Sequence, residues 1–65
     1  MPNIDVKFKA RAAGVALWRI AKELGVSEMT INRRLRKEMT VEQKEVFMNA
    51  IKKIAAEMAR EGMGE

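Results

Sequence analysis

Between Leu17 and Leu35 two short helical periodicities meet across only three residues, Gly25-Val26-Ser27, which leaves two helices crossing at a steep angle as the expected structure. Leu17, Ile20, Ala21 and Leu24 recur at i, i+3, i+4 and i+7, the spacing of one helical face. Gly25 follows the last of them, where a left-handed backbone closes a helix end without a Cβ penalty. Ser27 is a good N-cap, its hydroxyl able to take an orphan amide of the next turn, so a second helix is expected from about Glu28. On it Ile31 and Leu35 lie one turn apart and pack inward, which leaves Glu28, Met29, Asn32, Arg33, Arg36 and Lys37 for other faces. Small Ala21 lets the second helix approach, and Ile31 and Leu35 fill the angle between the two.

The flanks also read as helix. Thr40-Val41-Glu42-Gln43 is a capping box, in which each end of the motif satisfies an amide of the other. From there Phe47, Ile51, Ile54 and Met58 alternate spacings of four and three, predicting a helix over 40–60 that Gly62 and Gly64 fray. At 1.5 Å per residue some 20 residues span about 30 Å, more than the helix pair before it covers, so an overhang is expected. At the N-terminus Ile4, Val6 and Phe8 alternate with Asp5 and Lys7 as a strand would, while 9–13 reads as helix. A helix from Ile4 to Ala13 is the favoured reading: Asn3 can cap it, Asp5 suits its positive end, Ile4 and Phe8 share a face, and Gly14 can stop it. The expected fold is therefore all-α, a single compact helix-turn-helix domain over 1–65 with about four helices, the motif at 17–38 and a long C-terminal helix. The alternative is a ribbon-helix-helix dimer, with 4–8 as a strand placing Asp5, Lys7 and Lys9 on DNA. Gly14 inside its first long helix, and the weak strand propensity of Lys and Asp, oppose it.

Composition narrows the function. A 65-residue chain buries only roughly 60% of its unfolded surface, so something usually staples a core of this size. The sequence contains neither Cys nor His and no clustered carboxylates, so neither a disulfide nor a metal is expected, and dimerisation is the staple left. Charge is sorted along the chain: nine Lys/Arg against four Asp/Glu from Met1 to Met39, but four against five from Thr40 onward. That asymmetry is expected where one part faces a polyanion. No secretory signal and no membrane-length apolar run is readable, which favours the cytoplasm and no membrane partner. Without His, Cys, Tyr, a Gly-rich phosphate loop or a carboxylate pair in an apolar setting, no enzyme, cofactor or small-molecule substrate is expected. The six methionines read as gap fillers and an initiator, with Met29 excepted because its helical neighbours are polar. Trp18 lies off the main apolar face, and its ring is expected to pack against the first or last helix.

The run IAKELGVSEMTINRRLRKE resembles the helix-turn-helix of bacterial and phage regulators, the Cro/repressor-like and resolvase-like domains, over about 20 residues. More widely, GVALWRIAKELGVS followed by RRLRKEMTVEQKE is similar to small uncharacterised proteins of bacterial mobile elements and prophages. One departure is Arg34, where many repressors place an apolar residue, so that Leu35 has to supply that packing. The resemblance implies that the helix from Glu28 enters the major groove. Arg33 would then fork onto guanine, Asn32 pair with adenine, Met29 or Thr30 touch a thymine methyl, and Glu28 accept from cytosine. Arg19, Lys22, Ser27, Arg36 and Lys37 are the expected phosphate contacts, which hold register without reading sequence. A homodimer is expected along Phe47, Ile51, Ile54 and Met58, with Ile54 and Met58 nearest the two-fold axis. The function expected is sequence-specific binding of double-stranded DNA, as a transcriptional regulator or a recombination or excision accessory protein of a phage or mobile element. The alternative is a protein-binding adaptor or inhibitor on the same fold.

Overall fold

The computed structural model describes residues 2–63, with side chains described to residue 61. They form four helices: α1 (Ile4–Ala13), α2 (Leu17–Leu24), α3 (Glu28–Leu35) and α4 (Val41–Met63). The fold is all-α, with no strand among the described residues. Residues 4–8 open α1, so the ribbon-helix-helix alternative falls. Burial decides this against the local alternation, because a helix turns Val6 and Ala10 together into the core, whereas a strand would have put Val6 on the face of Ile4 and Phe8. α4 continues past Gly62, beyond the expected end at 60, while Gly64 lies outside the described residues. None of the described helices is long and apolar enough to cross a membrane.

The helix ends follow from local chemistry. α1 and α2 close alike, on a glycine in the left-handed region (Gly14, φ 71°; Gly25, φ 72°). After α2 the Val26 N–H donates to the Ala21 carbonyl at 2.9 Å and the Gly25 N–H to Lys22 at 3.2 Å, the paired bonds of a Schellman end. Val15 and Gly14 repeat that pattern on Ala10 and Arg11. At α3, Ser27 Oγ accepts the Thr30 N–H at 3.1 Å, and at α4, Thr40 Oγ1 accepts the Gln43 N–H at 3.2 Å. Ser27→Ala is therefore expected to lower stability by about 0.5–2 kcal/mol. A urea melt that leaves the transition unmoved would show that this cap contributes nothing.

α4 is the spine, packed against α1 and α2, while α3 packs on α2. Val6 and Ala10 of α1, Ile20 and Ala21 of α2, Ile31 and Leu35 of α3 and Phe47, Ala50, Ile51 and Ile54 of α4 form one core. Leu35 is buried beside exposed Arg34 and supplies the packing that the arginine cannot. The seam expected between two chains is thus occupied within one. Phe47, Ile51 and Ile54 are no more than 2% exposed, and Met58 packs half-buried on the same core. The core ends near Met58, and of the side chains described beyond it, those of Ala59, Arg60 and Glu61, all are exposed and none is large and apolar.

Asn3 also departs from the expected helix cap. Its side chain does not cap α1; the residue sits in the left-handed region (φ 58°) and is wholly buried. Nδ2 donates to the carbonyls of Leu35 (3.1 Å) and Lys37 (2.7 Å), Oδ1 accepts the Met39 N–H (2.8 Å), and the Asn3 N–H donates to Glu38 Oε1 (2.9 Å). One amide side chain therefore satisfies the segment between α3 and α4, where the chain leaves helix and its polar groups lose their partners. Beside it, Lys44 Nζ reaches Asp5 Oδ2 at 3.1 Å and also pairs with Glu38.

The Lys44 hydrogen bonds hold both carboxyls below their ordinary range and raise the lysine. Carboxyls depressed in the folded state contribute stability above their unfolded pKa values, and that contribution is lost as pH falls through the depressed ones. Lys44→Met should therefore move acid unfolding, followed by helical circular dichroism, to higher pH. An unchanged acid midpoint would show that the cluster contributes nothing.

Candidate nucleic-acid interface

α3 is held by its inner side and free on its outer one. Ile31 and Leu35 are buried one turn apart, so the helical repeat turns Glu28, Met29, Asn32 and Arg33 outward. These four, with Arg36 just after the helix, line one shallow open hollow. Met29 is 71% exposed, a large apolar side chain among polar neighbours. Thr30 is half-buried, and its hydroxyl shares a 3.0 Å hydrogen bond with Ser27 Oγ. Thr30 and Ser27, expected at a base and a phosphate respectively, are thus engaged in capping α3.

The expected phosphate contacts divide into two groups. Arg36 is exposed and lines both the α3 hollow and its neighbour, and Lys37 is exposed in the segment that Asn3 secures. Arg19 and Lys22 lie elsewhere, in a hollow between α2 and α4 shared with Trp18, Glu23, Ile54, Glu57 and Glu61. Arg19 pairs with Glu61 at 3.5 Å, and its guanidinium carbon sits 5.8 Å from the Trp18 ring centroid. Glu23 in turn accepts from Lys53 Nζ at 2.8 Å, which raises the lysine. Trp18 lines this hollow but is 52% exposed and is not among the hydrophobics packed on the core, short of the packing expected against the first or last helix.

Two cations absent from the helix-turn-helix phosphate contacts line adjoining hollows, Lys7 beside α3 and Arg11 one turn further along α1. Lys7 of α1 lines a hollow with Asn32, Leu35 and Arg36 of the α3 region and Leu17 of α2. Lys7 and Arg11 then line the next hollow along, with Val15, Ala16 and Leu17. Their signal was present in the sequence: Lys7 and Arg11 are spaced by four and each follows a core residue, Val6 or Ala10.

No protein-family model, curated protein or solved structure matches this chain.

The charges are sorted in space as well as along the chain. Arg33, Arg36, Lys7 and Arg11 line the connected hollows from α3 to α1, with Glu28 the one acid among the residues lining them. The α2–α4 hollow holds two cations against Glu23, Glu57 and Glu61. Asp5 and Glu38, the acids nearest the start of α1, are both engaged by Lys44. A polyanion approaching the α3 side therefore meets four cations with Glu28 as the one acid lining the same hollows.

Proposed function

We propose that this chain binds double-stranded DNA, with α3 lying in the major groove and Arg33 and Asn32 against base edges. The observation that supports this most is the outer face of α3. It presents a guanidinium fork, a carboxamide and an apolar methionine side by side on a short helix clamped from behind by Ile31 and Leu35. Those groups match the donor and acceptor pattern of guanine, adenine and the thymine methyl, and a rigidly backed helix presents them without a large ordering cost. The reading extends to a regulatory or recombination accessory role, for which the bound sequence is the first thing to find. A homodimer keeps its functional rationale, two half-sites read about one helical turn apart, but would need a surface other than the buried seam of α4.

Selection of duplexes from a random pool, followed by titration of the selected site, tests the proposal. Arg33→Ala should weaken the selected site by about 1–3 kcal/mol and relax preference at one base pair, while Lys37→Ala should weaken all sequences alike. Equal losses on specific and random duplexes for both variants would remove Arg33 from the base-reading role. Absence of binding to any duplex at low salt would overturn the proposal outright.

A further inference from the structure

The connected basic hollows point to a second anchoring element, and we infer that α1 grips a DNA phosphate backbone through Lys7 and Arg11, beside the groove that α3 enters. This rests on the DNA-binding reading above and sets the path of the duplex across the domain: from α3 toward α1, and away from the α2–α4 hollow.

The placement follows from how α1 is buried. Val6 and Ala10 face the core, so Lys7 and Arg11, each one position on, emerge together on a flank of α1 that faces Leu17 of α2, where Lys7 also meets Asn32, Leu35 and Arg36. Lys7 is half-buried and lines the hollow with Leu17, Leu35, Asn32 and Arg36, which puts it next to two residues of the α3 face. Arg11 is exposed one turn further along. No carboxylate lines either hollow, whereas Arg19, the sequence-based candidate for the same work, is paired with Glu61. A cation already neutralised within the protein releases few counterions from DNA when it docks, and an unneutralised one releases close to a full share. The phosphate-holding set thus becomes Lys7, Arg11, Arg36 and Lys37.

The experiment is the salt dependence of binding to the selected duplex and to a random one, for the wild type, Lys7→Gln/Arg11→Gln, Arg19→Gln and Lys52→Gln. Lys52 is exposed on α4 and lines none of the hollows described, so its removal controls for net charge. Each phosphate contact contributes about 0.9 to the slope of log K against log salt, so the double variant should lose about 1.8 units on both duplexes. Arg19→Gln and Lys52→Gln should each change it by well under half a unit. The base preference should be untouched, and Lys7→Arg/Arg11→Lys should keep the wild-type slope. Helical circular dichroism on every variant separates a lost contact from a lost fold.

A wild-type slope in the folded double variant, while Arg33→Ala still relaxes one base pair, overturns the role of α1 and leaves the DNA reading standing. The same loss per charge in Lys52→Gln as in the double variant also overturns it, since net charge would then account for the effect. A wild-type chain that binds no duplex at low salt overturns both.

Discussion

Asn3→Ala is expected to leave the chain largely unfolded at room temperature. The substitution strips partners from the Leu35 and Lys37 carbonyls and the Met39 N–H, and each orphaned group costs about 1–3 kcal/mol where water cannot replace the bond. Alanine at φ 58° adds about 1–2 kcal/mol of left-handed backbone strain that asparagine tolerates better. A total of about 4 kcal/mol or more meets a domain whose net stability is expected at only about 3–5 kcal/mol. Asn3→Gly relieves the strain and restores none of the bonds, so it should sit about 1 kcal/mol above Asn3→Ala and still far below the wild type. Thermal melts of the three proteins check both statements. A transition within a few degrees of the wild type for Asn3→Ala would mean that the α3–α4 segment finds its hydrogen bonds elsewhere. The consequence reaches the interface too, because Asn3 holds the carbonyls of the segment that carries Arg36 and Lys37 away from the end of α3.

The second large effect is expected of Ile54→Glu. Ile54 is 2% exposed, its side chain in the core that α4 forms with α1 and α2. Removing a buried isoleucine costs about 2–5 kcal/mol, and an unpaired carboxylate in its place adds a desolvation penalty of similar size. The product should be an unfolded chain, with Ile54→Val losing only about 0.5–1.5 kcal/mol as the control for packing alone. Had α4 been a seam between two chains, Ile54→Glu would instead yield folded monomers. Circular dichroism with sedimentation distinguishes the two, and a helical, monomeric Ile54→Glu would contradict the core described above.

Features closed within four or five residues were legible in the sequence. Gly14 and Gly25 as helix stops, Ser27 as a cap and Thr40 at the head of α4 all appear where expected, because helix ends are satisfied by neighbours along the chain. The outward group of Glu28, Met29, Asn32 and Arg33 was legible for the same reason: two buried positions, Ile31 and Leu35, orient every other residue of a short helix. Periodicity also marked Phe47, Ile51 and Ile54 as one buried stripe, but a period records that a face is covered and not what covers it. α1 and α2 do so, and only their packing on α4 shows it. Asn3 could be recognised as a capping type, yet its partners lie 32 to 36 residues away, where no local pattern reaches. The cations divide on the same principle. Composition placed the excess charge in the N-terminal part, while tertiary structure neutralised Arg19 against Glu61 and set Lys7 beside Asn32 and Arg36, because the field at a surface depends on which helices pack together rather than on which residues are adjacent in the chain.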